Sequence, residues 1–443
     1  MTLAKAFLKR IGTFESLTIR DYRLLWFGQC STSMGQWMDQ AARGWLMYSI
    51  TNSPLQLGLA AAARGVPLIF FSLLAGALAD RSGRKAQLII AQVTNAALAA
   101  ILATLVLTGD VQPWHIYVTG FIAGSVQAFQ QPARQTLIGD IVGDHRLMNA
   151  LALNSTALNV SRMLGPMVAG LIIALVGAEW SYYWESVMYL TATIWTIQMR
   201  VPERRGGPRA PEREPLLGSI QAGFAYVWRE RDIRSLMVLG LGPLTFGMAY
   251  STLIPLFAQD ILHGGAPLQG TLFSVIGAGS LVGAIAVASI RRTHGYGLPV
   301  VIGGACFSVA VFAFASSELV WLSIVLGACI GAANVTYNTQ NQTLLQVITP
   351  PQLRGRVMSI RMLERGLVPF ASLLTGALAS AYGGPNALRL MSAVGLAIVV
   401  LVVVTTPQIL RLKVSFTDVT GSADAAGEGA PARRRAGAAI TLE

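Results

Sequence analysis

The sequence predicts an all-α membrane protein: twelve transmembrane helices in two six-helix bundles. Three observations lead there. Of the 443 residues, 53% are hydrophobic and only 12% are charged, against roughly 25% charged in a soluble domain. The chain divides into twelve apolar runs, each near the length of about 20 residues that a bilayer core of about 30 Å requires. The two halves also repeat one another at an offset of about 207 residues.

The runs fall near 24–50, 56–79, 86–108, 114–134, 148–176 and 182–200 in the first half. In the second they fall near 234–259, 268–290, 298–316, 319–342, 357–381 and 387–409. Helices are expected because only they satisfy their own backbone hydrogen bonds in lipid at this length. The alternating ten-residue segments of a β-barrel are absent. The expected organisation is a cytoplasmic segment 1–23, a bundle 24–200, a linker 201–233, a second bundle 234–410 and a disordered tail 411–443.

Basic residues alternate between loops. Lys5, Lys9, Arg10, Arg20 and Arg23 precede the first run. Arg81, Arg84 and Lys85 follow the second, Arg146 lies between the fourth and fifth, and Arg291 and Arg292 follow the eighth. The intervening loops near 51–55, 109–113, 177–181, 260–267, 317–318 and 382–386 carry no Lys or Arg. By the positive-inside bias both termini are expected in the cytoplasm, and no cleavable signal peptide is expected. Leu3, Phe7, Arg10, Ile11 and Phe14 fit either an amphipathic surface helix or a frayed tail. Leu217, Ile220, Phe224, Val227 and Trp228 predict an amphipathic helix in the linker. The net charge of +12 is spread between apolar runs, so a lipid bilayer and not nucleic acid is the expected partner. Three cysteines and four histidines show no disulfide or metal spacing.

The repeat is clearest in the fourth and tenth runs. Gly120, Gly124, Gln127, Gln131 and Arg134 recur at spacings of 4, 3, 4 and 3, as do Gly327, Gly331, Asn334, Asn338 and Asn341. A six-span unit keeps its orientation when repeated, so the axis relating the halves runs along the membrane normal. The first run carries a similar stripe of Gln29, Ser33, Gln36, Gln40 and Arg43. Such spacing places these side chains on one helix face. The glycines fit close helix packing or a cavity wall equally; the amides fit a hydrated cavity better, because lipid offers them no partner.

Charges within the runs are costly and mark function or structural pairing. Asp39 and Arg43 stand four apart and can touch, and Arg64 lies at a depth from which it can reach them. Asp39 is the first proton-coupling candidate and Glu364, flanked by Arg361 and Arg365, the second; a purely structural ion-pair network remains the competing reading. Glu185 is expected near the outer surface, solvated. Arg162 has no carboxylate neighbour on its own run and offers paired donors to an anionic group or to gate carbonyls. The candidates for a substrate-binding cavity are Gln36, Gln40, Arg43, Arg64, Gln127, Gln131, Arg162, Tyr250, Asn334, Tyr337 and Asn338. Trp37, Phe129 and Phe246 fit an apolar pocket or ordinary packing.

The stretch Gly76-Ala77-Leu78-Ala79-Asp80-Arg81-Ser82-Gly83-Arg84-Lys85 resembles the loop signature of the major facilitator superfamily. Two further stretches resemble its bacterial branch of transmembrane secretion effectors, enterobactin exporters among them. One is Asp21-Tyr22-Arg23-Leu24-Leu25-Trp26 with Gly35-Gln36-Trp37; the other is Gln131-Pro132-Ala133-Arg134-Gln135 with Arg162-Met163-Leu164-Gly165-Pro166. The resemblance implies that Gly76, Asp80, Arg81, Gly83 and Arg84 form a cytoplasmic gate latching the halves. It likens Gly165, Pro166 and Gly170 to the antiporter motif of helix 5. This chain departs from the pattern at Gly120, where many proton-driven members carry arginine, and at Ala169, which replaces a glycine.

The expected function is secondary active export of a small amphipathic or hydrophobic molecule, such as a drug, siderophore or secondary metabolite, by alternating access with proton antiport. An importer of the same fold is the alternative, and a membrane-embedded enzyme or lipid-handling protein is a more distant one. No nucleophile–base pair, metal-ligand pair or nucleotide-binding loop is evident, so no enzyme and no cofactor beyond a proton gradient are expected. The expected location is the bacterial inner membrane, as a monomer.

Overall fold

The computed structural model describes residues 12–78, 83–200, 224–248, 250–289, 297–350, 353–411, 413–414 and 440–441. Within these, helices occupy all twelve predicted stretches. We name them α1 (Arg20–Thr51), α2 (Pro54–Leu78), α3 (Arg84–Thr108), α4 (Pro113–Val142), α5 (Asp144–Val176) and α6 (Ala178–Gln198). The second half has α7 (Arg231–Ile261), α8 (Gly265–Ser289), α9 (Gly297–Ala315), α10 (Val320–Ile348), α11 (Arg354–Gly366 with Val368–Tyr382) and α12 (Gly384–Thr405). Eight of these are long and apolar enough to cross a bilayer: α2, α3, α5, α7, α8, α9, α10 and α12. The other four, α1, α4, α6 and α11, fall short of that measure of length and apolarity; α1 and α4 carry the polar stripes.

Two predicted helices are interrupted. In α7, π-helical turns at Gly242–Gly247 and Phe257–Ile261 flank Tyr250–Leu256. Pro243 and Pro255 lack the amide proton that an α-helical ladder needs there. In α11 the break falls at Leu367, two residues before Pro369, whose ring conflicts with the carbonyl four residues back. The ends of α4 and α10 also run past the predicted 134 and 342, as amphipathic helix whose Leu137, Ile138, Leu344 and Leu345 are buried. Gly143, at φ 66°, ends α4, and Pro350 follows α10.

The repeat is visible in the packing. Within the first half α4 lies on α2; within the second α10 lies on α8. Each contact is made through glycine. Gly124 faces the Arg64 backbone carbonyl, and its repeat mate Gly331 faces that of Ile276, so a Cβ at either would overlap a main chain. The turns into α6 and α12 also match: Gly177 (φ 107°) and Gly383 (φ 85°) both adopt a conformation that side chains resist.

The two ends of the bundle differ. We call the end with the Arg- and Lys-bearing loops the basic end and the other the neutral end. At the neutral end the halves share one apolar core, with Met47, Tyr48 and Leu57 packed among Leu253, Phe257 and Leu272. Two seams close it. On one, Gly58 of α2 meets Gly376 of α11; on the other, Gly170 of α5 meets Gly270 of α8. The Tyr48 hydroxyl donates to the Asp260 carboxylate, and Gln269 Nε2 donates to the Ala41 carbonyl at 2.7 Å. At the basic end the halves have separate cores: one around Tyr22, Leu88 and Leu137, the other around Leu236, Leu344 and Val357. Leu281, Val282 and Ile285, towards the basic end of α8, are exposed.

Outward apolar residues such as Ile90, Ile101, Leu175 and Val404 are exposed as a lipid-facing surface requires. Trp114, Trp180, Trp184 and Trp321 are exposed near the neutral-end starts of their helices, as indoles at a membrane interface are. Before α1, a 3-10 helix at Gly12–Thr18 is pinned to α5 by the Glu15–Arg146 ion pair (2.9 Å) and the Ser16 amide on Asn149 Oδ1 (3.0 Å). In the linker, 224–229 is helical, with Val227 buried and Phe224 and Trp228 exposed; Leu217 and Ile220 lie outside the described residues. Of the tail, Lys413–Val414 pairs antiparallel with Ile440–Thr441.

Two glycines of α4 give opposite predictions. Gly124→Val should cost about 1–3 kcal/mol by overpacking against α2. Gly139→Ala, with nothing within 4 Å of the new Cβ, should be neutral or stabilise by up to about 1 kcal/mol. Thermal unfolding in detergent micelles checks both.

Candidate functional site

The site begins with the helix period. Asp39 and Arg43 are one turn apart on α1, so Arg43 lies over the carboxylate. Arg43 Nη2 donates to Asp39 Oδ1 at 2.7 Å, and Arg43 Nε contacts both carboxylate oxygens at 3.1 and 3.3 Å. Arg64 of α2 donates through Nη1 to Asp39 Oδ2. Arg43 Nη1 turns the other way, to the Ile116 carbonyl (3.0 Å) and Thr119 Oγ1 (2.8 Å) of α4. Asp39 is 3% exposed and Arg43 7%. One carboxylate and two guanidinium groups thus tie three helices together, and the trio carries a net positive charge. Gly120 faces the cluster at contact distance: a Cβ there would stand 3.7 Å from Arg43 Nη1 and 3.8 Å from Arg64 Cβ.

Glu185 of α6 lies in the same interior, against the sequence expectation of a solvated residue. It is 4% exposed, and its Oε2 has no hydrogen-bond partner. Gly35 of α1, one turn before Asp39, makes the space; a Cβ there would stand 3.4 Å from Glu185 Cγ and 3.2 Å from the Tyr189 ring. Tyr182 and Tyr189, on the same face of α6, are fully or almost fully buried. No local sequence pattern marks Glu185 as buried; the available signal was a glycine on α1 one turn from a charged pair.

The remaining predicted residues separate into groups. Gln36, Gln127, Gln131 and Arg162 are half-buried and Gln40 is exposed. The Arg162 guanidinium lies 5.3 Å from the centre of the Trp37 ring, and no hydrogen bond to it occurs among the described residues. Gly165 packs against Trp37 Cβ, and the Pro166 carbonyl and Gly170 pack against Gly270. The helix 5 motif therefore forms the α5–α8 seam and backs the aromatic face beneath Arg162.

In the second half, Tyr250 and Tyr337 are core residues and not cavity walls. Tyr250 packs edge-on to Phe307, and the Tyr337 hydroxyl donates to the Leu239 carbonyl. Asn334 Nδ2 contacts Met248 Sδ at 3.3 Å. Arg361 Nη2 donates to Asn338 Oδ1 at 3.1 Å, and its Nη1 stands 3.5 Å from Glu364 Oε2. Glu364 is thus held in a salt bridge within its own helix, against the space left by Gly240 of α7. A groove of about 650 Å³ between α9 and α12 is lined by exposed Val400, Leu401 and Val404 and faces lipid.

The gate expectation is corrected in part. Asp80 and Arg81 lie outside the described residues, and Gly76 is in the last turns of α2. Gly83 precedes α3 as its cap. Arg84 pairs with Asp140 of α4, and Lys85 Nζ donates to the Ile197 and Met199 carbonyls (2.8 and 2.7 Å) after α6. These contacts brace the first half internally and do not bridge the halves. The physical reason is that α3, which carries both residues, packs on α4 and α6.

The ion cluster and Arg162 should respond differently to truncation. Arg43→Ala leaves buried groups on α1 and α4 unpaired and should cost about 3–5 kcal/mol. Arg162→Ala removes only a cation–π contact and should cost about 1 kcal/mol or less. Thermal melts of the two variants in lipid nanodiscs make the comparison.

The chain is similar to several characterised proteins. It is 23% identical to the staphyloferrin A transporter of Staphylococcus aureus over 79% of this chain and 87% of that one. It is 26% identical to the multidrug efflux pump Tap of Mycolicibacterium fortuitum over 81% and 89%. It is also 26% identical to the enterobactin exporter EntS of Shigella boydii over 70% and 73%. Among solved structures, a POT family transporter in complex with 5-aminolevulinic acid superposes with a TM-score of 0.71 at 11% identity, over 88% of this chain and 96% of that one. A bacterial homologue of the lysosomal transporter Spinster, in an inward-facing and unoccupied conformation, gives 0.66 at 15%, over 88% and 95%. These structures establish the fold. The family model for transmembrane secretion effectors matches residues 11–418. The chain therefore belongs to the transmembrane secretion effector family, a group of multi-pass membrane transporters of the major facilitator type and not enzymes.

Proposed function

We propose that this chain exports a small amphipathic molecule bearing an anionic or electron-rich aromatic group across a bacterial plasma membrane, by alternating access in exchange for protons. The observation that carries this reading is the asymmetry of the two ends. A shared core and two glycine seams join the halves at the neutral end, while their cores are separate at the basic end. With the basic end in the cytoplasm, as the loop charges favour, this is the inward-open state. Rocking about the α2–α11 and α5–α8 contacts then gives the opposite state.

The substrate chemistry is read from Arg162. A guanidinium stacked on Trp37, with its donors free of protein partners among the described residues, suits a carboxylate, sulfonate or catecholate joined to a flat apolar body. Gln36, Gln127 and Gln131 are placed to add hydrogen bonds from α1 and α4. The names of the multidrug efflux pump and the enterobactin exporter among the relatives favour export over import. Proton coupling is assigned to the Asp39–Arg43–Arg64 cluster, the buried ionisable group nearest the joint of α1, α2 and α4, with Glu364 as the second candidate. The protein is proposed to act as a monomer, with no cofactor besides the proton gradient.

Everted membrane vesicles test this directly. Adding enterobactin or naphthalenesulfonate should collapse an imposed pH gradient, and Asp39→Asn should abolish that response while leaving the protein folded and inserted. Retention of the full response by Asp39→Asn would remove Asp39 from the coupling. Uptake of the probes by intact cells together with protons would establish an importer instead.

A further inference from the structure

Deepening the antiport reading, and resting on it, we infer that the exchanged proton resides on Glu185 of α6, and that Asp39 is the fixed counter-ion that positions it. The two carboxyl groups share one interior but differ in their partners. Both oxygens of Asp39 accept hydrogen bonds from guanidinium groups, Oδ1 from Arg43 and Oδ2 from Arg64 with a further contact to Arg43 Nε. A carboxylate so enclosed stays ionised. Glu185 has no such bond, and its Oε2 is buried without any partner. Negative charge on an unpaired buried oxygen is strongly disfavoured, so the group holds a proton in this conformation.

The surroundings make that proton exchangeable. Asp39, Arg43 and Arg64 together carry one net positive charge, and Glu185 lies within their electrostatic reach. With Glu185 neutral the interior is positive by one charge; with Glu185 ionised it is balanced. The groups facing Glu185 are Asp39 and Arg43 from α1, Arg64 from α2, and Tyr182 and Tyr189 from its own helix. The titratable residues of α3, the other helix packed on α6, are Arg84 and Lys85 at its basic end. Of those on α5, Arg162 is turned to Trp37, and Asp144, His145 and Arg146 stand at its basic-end start. Arg43 and Arg64 are the cations within reach of the new charge.

The step is a simple ionisation. The O–H bond of Glu185 breaks, its electron pair stays on the carboxylate oxygen, and the proton passes to water entering from the basic end. Nothing is oxidised or reduced. Glu185 stands seven residues into α6, about 10 Å below the neutral end, beneath the shared core that seals that side. It can be reprotonated from there only after the seams open. One acid that faces a single side in each state couples proton movement to rocking.

The test uses the full chain in phosphatidylethanolamine–phosphatidylglycerol vesicles. Infrared difference spectra are recorded between acid and alkaline pH. The expected result is a neutral-carboxyl C=O band that titrates, is absent in Glu185→Gln and shifts in frequency in Glu185→Asp. A band that survives Glu185→Gln, or that Glu185→Asp leaves unshifted, would overturn the assignment. If Glu185→Gln does not fold, the Glu185→Asp shift decides. The same vesicles, loaded with naphthalenesulfonate under a pH gradient, show separately whether wild-type protein exchanges protons at all. Failure there refutes the antiport reading, while the infrared band still reports on Glu185 independently of it.

Discussion

A membrane interior offers no water to a charged side chain, so Asp39, Arg43 and Arg64 must satisfy one another. Much of the first half follows from that constraint. Arg43 spends one face of its guanidinium on Asp39 and the other on Thr119 and the Ile116 carbonyl, which sets the separation of α1 and α4. Arg64 approaches from α2, and Gly124 on α4 lets α2 come close enough for it to do so. The polar cluster and the glycine contacts are therefore one device: small residues bring backbones together, and the charges fix the distance at which they stop. The second half repeats the glycine device between α8 and α10 without the charges, and uses Arg361, Glu364 and Asn338 nearer the basic end.

The joint between halves is built differently from the halves themselves. Inside each half, helices are locked by buried polar bonds and by main-chain contact. Across the joint, Gly58–Gly376 and Gly170–Gly270 form smooth crossings, with few polar bonds beyond Tyr48–Asp260 and Gln269–Ala41. Apolar surfaces held by close packing can separate and re-form without stranding buried charges. That difference lets each bundle move as a unit. It also explains why Arg84 and Lys85 brace α3 to α4 and α6: a half that rocks must first be rigid.

The sequence carried the architecture well because lipid permits so few solutions. Helix in each of the predicted stretches among the described residues, the duplication and the meeting of Arg64 with Asp39 and Arg43 all follow from apolar length and helical spacing. The breaks in α7 and α11 were harder to read, because a proline inside an apolar run lowers hydropathy very little even as it removes a backbone bond. Glu185 was misplaced for a related reason. In a run read as starting at 182 an acid at 185 looks interfacial; the helix starts at Ala178, and the pairing of α6 with the Gly35 face of α1 encloses Glu185. Tyr250 and Tyr337 carry polar hydroxyls that suit a cavity wall, yet Tyr250 packs edge-on to Phe307 and Tyr337 spends its hydroxyl on Leu239.

Alternating access requires that the two ends open reciprocally. Double electron–electron resonance on two label pairs in vesicles reads both ends at once. Ser49→Cys with Tyr382→Cys spans the halves at the neutral end, and Thr156→Cys with Ser289→Cys spans them at the basic end; all four positions are exposed. Between acid and alkaline pH, reciprocal opening predicts two distance populations at each end that trade in opposite senses, one pair lengthening as the other shortens. Both pairs fixed, or both changing in the same sense, would contradict it.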